Sequence, residues 1–222
     1  MIKACIPYYD RISPHTQLSC DNAECAGLIE VRTCRGTVIH HARNRLIANS
    51  SLVHPKLEYE YYLCLDSDIG FTVDQLQKLI DHNLPIVSGA YVKNGQITGG
   101  WLEDRTVRWI KDGSGLHAVD WVGCGFLLIK REVLEKMPAP WFQFIEERRG
   151  ENYITYSEDV WFCKKARELG YNIYIDLDCR LEHFKEAKNA TERSNTHRIS
   201  FQIPAAVPSL HIADFTEIGR IR

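Results

Sequence analysis

The sequence predicts an α/β fold, with a mostly parallel central sheet, helices on both faces and a small antiparallel sheet beside it. Three observations carry that reading. Up to residue 92, short apolar runs alternate with amphipathic stretches, the pattern of strand, helix and strand units that builds a parallel sheet. From 97 to 129 the chain changes to short apolar segments separated by Gly and Asp turns, as antiparallel strands require. The 222 residues are 45% hydrophobic and 25% charged, which is average for a globular chain, argues against global disorder and suffices for one sizeable core.

Residues 2–6 read as a first strand, stopped by Pro7 and followed by the loop Tyr8-Tyr9-Asp10. Ser13-Pro14 then opens a helix expected over about 16–29, with Pro in its first turn. Residues 31–34 form a second strand. Val38, Ala42, Leu46, Ile47 and Leu52 fall at helical spacing over 38–52, which puts Arg43 and Arg45 on other faces. The apolar run Tyr61–Leu65 is a strand that ends in Asp66-Ser67-Asp68. Thr72 is the N-cap of the next helix, and residues 85–92 are a buried strand. Sheets of this kind bind ligands at the carboxyl ends of their strands, so Tyr8, Asp10, Asp66 and Asp68 should open onto one crevice.

The later segments Gly99-Gly100-Trp101, Val107-Arg108-Trp109 and Val119-Asp120-Trp121 are the expected antiparallel strands. In Gly123-Cys124-Gly125, ahead of the apolar run Phe126-Leu127-Leu128-Ile129, two glycines bracket one residue. That pattern asks for close backbone approach, by a bulge or by a ligand. Ser157 caps a helix running to Leu169 and closed by Gly170. A strand over 172–177 leads to Glu182-His183.

A formal net charge of −2 does not favour a nucleic-acid partner. No stretch approaches the roughly 18 apolar residues of a membrane span, and the first residues are too short a run for a signal peptide. A cytoplasmic protein without a transmembrane segment is expected. Cys5, Cys64, Cys124 and Cys163 sit in apolar runs as small hydrophobes. Cys20, Cys25 and Cys34 match no common zinc spacing.

Chemistry gathers at the carboxylates. At spacing two on an extended strand, Asp66 and Asp68 point the same way and invite a hard divalent cation. A plain turn after a strand also favours Asp. Glu158 and Asp159 open a helix, where the macrodipole alone favours acids by about 0.3–1 kcal/mol each. His183 taken singly is an ordinary polar residue.

Taken in chain order, Pro7-Tyr8-Tyr9-Asp10, Ala42-Arg43-Asn44, Asp66-Ser67-Asp68, Gly123-Cys124-Gly125, Glu158-Asp159 and His183 resemble GT-A glycosyltransferases, most closely family 2-like enzymes of viral and bacterial type. The resemblance covers roughly residues 2–185. It implies a GT-A, Rossmann-like fold, with a nucleotide-sugar half to about 95, an acceptor half over 96–185, and an extension, 186–222, that is either a lid or a solvated loop. It implies transfer of a sugar from a nucleotide diphosphate sugar, UDP foremost and GDP or dTDP open, to a hydroxyl of a glycan or other acceptor. Mn²⁺ or Mg²⁺ would neutralise the leaving diphosphate, held by Asp68 and His183, with Asp66 at the metal shell or the ribose. Pro7, Tyr8 and Asp10 would line the base and ribose, and Arg43 would approach the nucleotide. Asp159 would be the general base of an inverting reaction, with Glu158 as its substitute. Gly123, Cys124 and Gly125 would lie near the sugar or acceptor. Trp121 would stack on a sugar or sit in the core.

The chain departs from the family pattern at Val31-Arg32-Thr33-Cys34-Arg35-Gly36, where an acidic nucleotide-binding strand is expected. Three other functions stay open. A DNA-base (hydroxymethylpyrimidine) glycosyltransferase would use basic residues such as Arg148, Arg149, Lys164, Lys165, those of 185–198, Arg220 and Arg222. A nucleotidyltransferase would normally carry a glycine-rich basic loop where Pro7-Tyr8-Tyr9-Asp10-Arg11 stands. A catalytically inactive domain would bind sugar nucleotides without turnover.

Overall fold

A computed structural model describes residues 1–36, 38–49, 51–103 and 106–184. The expected extension, with its lid and basic residues, lies outside the described residues.

In chain order the first elements are β1 (Ile2–Tyr8), α1 (Pro14–Cys25), β2 (Ile29–Arg35), α2 (Ile39–Ala48), β3 (Tyr61–Leu65), β4 (Ile69–Gly70), α3 (Val73–Asp81) and β5 (Ile86–Ala90). Next come the short strands β6 (Val92–Lys93), β7 (Gln96–Ile97), β8 (Gly99–Glu103), β9 (Thr106–Trp109), β10 (Leu116–Val119) and β11 (Trp121–Val122). The rest is β12 (Phe126–Lys130), α4 (Arg131–Lys136), β13 (Ile145–Arg149), β14 (Asn152–Tyr156), α5 (Glu158–Glu168), β15 (Ile173–Arg180) and β16 (Glu182–His183).

The apolar runs build one seven-stranded sheet in the order β10-β15-β5-β12-β3-β1-β2. β2, β1, β3, β5 and β15 run parallel, while β12 and β10 run against them. Helices cover both faces, so the inner strands are continuous apolar runs. Side chains along each strand alternate between two cores. Cys5, Tyr62, Cys64, Leu127 and Ile129 face the core that α2, α4 and α5 share. Ile2, Ala4, Ile6, Leu63, Leu65, Phe126 and Leu128 face the one that α1 and α3 share. Smaller antiparallel sheets, the largest ordered β11-β8-β9, stand beside the main one. This is the fold class that the sequence predicts.

Several boundaries move for identifiable reasons. Pro7 does not stop β1, because the register with β3 ends at Cys5 and Pro7 is paired on the β2 side only. α1 ends at Cys25, and Gly27 then takes a positive φ of 72° to release the chain into β2. α2 ends at Ala48, where Asn49 adopts the left-handed conformation. α3 has the expected cap, strengthened because Gln75 returns the bond to the Thr72 backbone. β10 leaves the small sheet and pairs with β15 at the edge of the main one. Helix α4 and the hairpin of β13 and β14 were not legible in the sequence.

The strand order reverses between β1 and β3, since the chain goes outward to β2 and returns past β1 to β3 and β5. A crevice opens at the carboxyl ends where such a reversal occurs. Away from it, the carboxylate of Asp176 in β15 ties α3 to the sheet. It is 1% exposed and lies 2.8 Å from His82 Nε2 and 3.1 Å from Lys78 Nζ. Burial alone would raise its pKa, but the bonds from His82, the Asp178 N–H and Lys78 outweigh that and hold it below the ordinary value.

A carboxylate whose folded pKa is depressed adds stability above its unfolded pKa and loses it as the pH falls toward the folded value. Asp176→Asn should therefore cost about 1–3 kcal/mol at neutral pH. In urea titrations the gap between parent and variant should narrow as the pH drops below the ordinary aspartate value of 3.8.

Candidate active site

The segment after β3 turns at once. The Asp66 N–H donates to the Gly125 carbonyl at 3.0 Å, and the Ile69 N–H donates to the Asp66 carbonyl at 3.3 Å. Extended geometry thus ends at Leu65, and the two aspartates, expected to point the same way, reach different partners. Asp66 Oδ1 accepts from Arg43 Nη2 at 2.7 Å. Asp68 Oδ2 lies 3.1 Å from His183 Nε2.

Arg43, expected on a face of α2 other than the apolar one, is 2% exposed. Ala42, Arg43 and Asn44 are all buried because α2 is covered on both sides. Asn44 fastens the outer side, with Nδ2 donating to the Phe142 carbonyl at 2.7 Å and Oδ1 accepting from the Trp141 N–H at 2.9 Å. Arg43 reaches the inner side. Its Nη1 donates to the Cys124 carbonyl at 3.1 Å, and its Nε lies 3.8 Å from Glu158 Oε1, too far for a hydrogen bond. Burial works against the guanidinium's charge, but Asp66 foremost among its neighbours more than offsets this, and its pKa lies well above the ordinary value.

Glu158 is 8% exposed at the start of α5. Burial, then the neighbouring Asp159, pushes its carboxyl up, against the pull of Arg43. Asp159 is half-buried, and its Oδ1 accepts from the Ser157 hydroxyl and, at 2.8 Å, from the Val160 N–H.

His183 comes to Asp68 through the antiparallel pairing of β16 with β4, and the Phe184 N–H donates to the Asp68 carbonyl at 2.8 Å. Its Nδ1 faces the Val92 carbonyl at 3.0 Å. A carbonyl only accepts, so Nδ1 carries the proton, and in the tautomer with that proton alone Nε2 has a lone pair on the side of Asp68. An imidazole lone pair and a carboxylate aimed at one point fit a divalent cation. Among the described residues no three of His, Cys, Asp and Glu gather as a metal cluster. Two protein ligands suit Mg²⁺ or Mn²⁺, which commonly keep water and substrate phosphate in their shells.

The glycine pair has a packing cause. A Cβ on Gly123 would meet Tyr91 Oη at 2.4 Å, and one on Gly125 would meet Tyr91 Cζ at 2.6 Å. The Tyr91 hydroxyl accepts from the Gly125 N–H at 3.0 Å. Both glycines therefore seat Tyr91, and the Cys124 thiol is buried while its carbonyl serves Arg43. Trp121 is in the core at 5% exposure, its ring edge-on to Trp109, and offers no open face. Pro7 is buried, Tyr8 half-buried and Asp10 exposed at the carboxyl end of β1. Sequence reasoning missed Tyr91 and the Val92 carbonyl, and gave Asn44 a place in the Ala42-Arg43-Asn44 motif but no role. For Tyr91 the Gly-x-Gly pair was the signal, since it asked for a close approach, expected from a bulge or a ligand, that a side chain makes instead.

The solved structure of A197 from STIV is similar to this chain, with a TM-score of 0.56 and 20% identity over 83% of this chain and 86% of that one. The inositol-1-phosphate CTP transferase from T. maritima aligns with a TM-score of 0.38 and 12% identity over 82% of this chain and 69% of that one, too low to carry an argument. No protein-family model matches the sequence. No curated protein matches it either. The first likeness establishes a shared Rossmann-like α/β fold. Among the described residues no helix is long and apolar enough to cross a membrane.

Replacing Arg43 by Met removes the partner of Asp66 and of the Cys124 carbonyl together. The loss should be about 3–5 kcal/mol in urea unfolding. Arg43→Lys should recover only part of it, because an ammonium lacks the fork that reaches both acceptors.

Proposed function

We propose that the chain is a metal-dependent glycosyltransferase that moves a sugar from a nucleotide diphosphate sugar, UDP foremost, to an acceptor hydroxyl with inversion. The observation that carries this reading is the pair of Asp68 and His183, 115 residues apart in sequence and 3.1 Å apart at the carboxyl edge of the sheet. The ordered motifs that resemble GT-A enzymes support it, as does the Rossmann-like fold.

Asp68 and His183 would hold Mn²⁺ or Mg²⁺, whose positive charge stabilises a departing diphosphate. Asp66, fixed through one oxygen by Arg43, would offer its other oxygen to the ribose. Pro7, Tyr8 and Asp10, at the end of β1, would border the nucleoside. Arg43 itself is committed to Asp66 and Cys124, so it acts by holding Asp66 rather than by touching the nucleotide. As the acceptor oxygen bonds to the anomeric carbon and the bond to diphosphate breaks, a carboxylate takes the hydroxyl proton. Asp159 fits that role better than Glu158, which is buried against Arg43. The Ser157 and Val160 bonds both fall on Asp159 Oδ1, which fixes the carboxylate and leaves Oδ2 for the proton.

Thermal-shift assays with UDP, GDP and dTDP sugars, each with Mn²⁺ or with EDTA, test the reading. One nucleotide should stabilise the parent in a metal-dependent way, and Asp68→Ala should lose that shift. Asp159→Asn should keep it while transfer falls by about 10²–10⁴-fold. Undiminished transfer by Asp159→Asn would sink the base assignment.

A further inference from the structure

We propose that Tyr91 is a positioning residue of the transfer reaction, which holds the metal-side imidazole of His183 with its ring and the ribose-side carboxylate of Asp66 through its hydroxyl. This rests on the glycosyltransferase reading and adds to it a residue that acts only through other groups.

The ring is the first argument. Tyr91 is the single residue between β5 and β6 and is 4% exposed. The strand that carries His183 runs beside it. The Leu181 N–H donates to the Ala90 carbonyl at 2.8 Å, and His183 Nδ1 lies 3.0 Å from the Val92 carbonyl, so Tyr91 stands between the two points of attachment. Its ring meets the imidazole edge-on, with centroids 5.9 Å apart and planes at 70°. An imidazole bonded at one nitrogen can still swing about that bond. A rigid ring against it limits the swing, and the orientation of a ligating histidine tunes the metal site.

The hydroxyl is the second argument. It accepts from the Gly125 N–H at 3.0 Å. The Gly125 carbonyl accepts in turn from the Asp66 N–H at 3.0 Å, and the Cys124 carbonyl accepts from Arg43, which holds Asp66 Oδ1 at 2.7 Å. Asp66 therefore hangs on this loop by its backbone and by its side chain. The loop's other end returns to the same tyrosine. The Gly123 N–H donates to the Thr98 carbonyl at 2.9 Å, and the Thr98 N–H and hydroxyl both donate to the Tyr91 carbonyl, at 3.1 and 3.2 Å. A phenylalanine would fill the same space, so packing alone asks for no hydroxyl at this position.

The test uses the full chain. Mn²⁺ binding is measured alone by the electron-paramagnetic signal of the free ion, and binding of UDP, GDP and dTDP is then measured by calorimetry in saturating Mn²⁺, at a temperature where circular dichroism shows each variant folded. The parent should bind Mn²⁺ and one of the three diphosphates. Tyr91→Phe should leave Mn²⁺ affinity unchanged and weaken that diphosphate about 5- to 10-fold, because the buried Gly125 N–H loses its acceptor. Tyr91→Leu should weaken both ligands, Mn²⁺ by about 10-fold, as the loss of a group that orients a metal-bound histidine does. Gly125→Ala should also weaken both, since its Cβ would meet Tyr91 Cζ at 2.6 Å and displace the ring, and it serves where Tyr91→Leu does not fold. A residue that only filled space would weaken both ligands in step. Equal losses of the two in Tyr91→Phe, or undiminished diphosphate binding by it, overturn the positioning role while the parent's binding leaves the glycosyltransferase reading intact. A parent that binds neither Mn²⁺ nor any of the three diphosphates overturns that reading itself, and with it the ligands that Tyr91 would hold.

Discussion

A guanidinium that water does not reach governs the arrangement of this site. Arg43 is 2% exposed, and an unpaired charge at such depth is prohibitively costly. Its two Nη groups therefore require fixed acceptors, and the fold supplies them from two distant segments, the turn after β3 and the loop before β12. Glu158, at the start of α5, stands within 3.8 Å of the third nitrogen. One residue on α2 thus fixes the relative positions of three other pieces of chain. Buried pairs of this kind add little net stability compared with apolar packing of the same volume. Their usefulness lies in orientation, and here the oriented group is Asp66.

Commitment of Asp66 to Arg43 divides the work of the two aspartates. Asp66, Asp68, Glu158 and Asp159 would repel one another if they shared one low-dielectric space. Arg43 lies between Asp66 and Glu158, while Asp68 turns away to His183. Antiparallel β12, inserted between β3 and β5, makes this division possible. It brings Gly125 to the Asp66 N–H and the Cys124 carbonyl to Arg43. Tyr91 then fills the space that the two glycines leave open and bonds to the Gly125 N–H, so the loop is fixed from both sides.

The period of the apolar runs made the sheet, its parallel core and most helices legible, because β1, β3, β5 and β12 are covered on both faces and α3 carries a full capping box. Short elements escaped. In the β13 and β14 hairpin, β13 is charged at Glu146, Glu147 and Arg148, and the two strands pair only with each other, so no core periodicity marks them. In the site, residue types were legible and directions were not. Spacing two placed Asp66 and Asp68 on one side, which holds only while the strand stays extended, and the chain turns one residue earlier. Helical periodicity put Arg43 on a face of α2 other than the apolar one, and it does not tell what covers that face. Around Arg43 it is covered by the turn after β3 and the loop before β12, while the Trp141 and Phe142 segment covers Asn44 on the other side.

The joint that brings His183 to Asp68 is slight by itself. β16 and β4 pair at two positions only, and a two-stranded ladder of that length is not independently stable. Neighbouring packing has to hold it. The Phe184 ring stacks on His15 with centroids 3.9 Å apart and planes 8° apart, and His15 lies in the first turn of α1. Gly70 makes room for that ring, since a Cβ there would meet Phe184 Cε2 at 2.6 Å. The Ser13 N–H, at the cap of the same helix, donates to the Ser67 carbonyl between the two aspartates at 2.8 Å. The same helix start therefore touches both halves of the pair, holding the aspartate turn by its cap and the histidine strand by its first-turn ring. The position of His183 depends on the first helix of the chain as much as on the strand that carries it, and rotation of α1 would move both proposed ligands together.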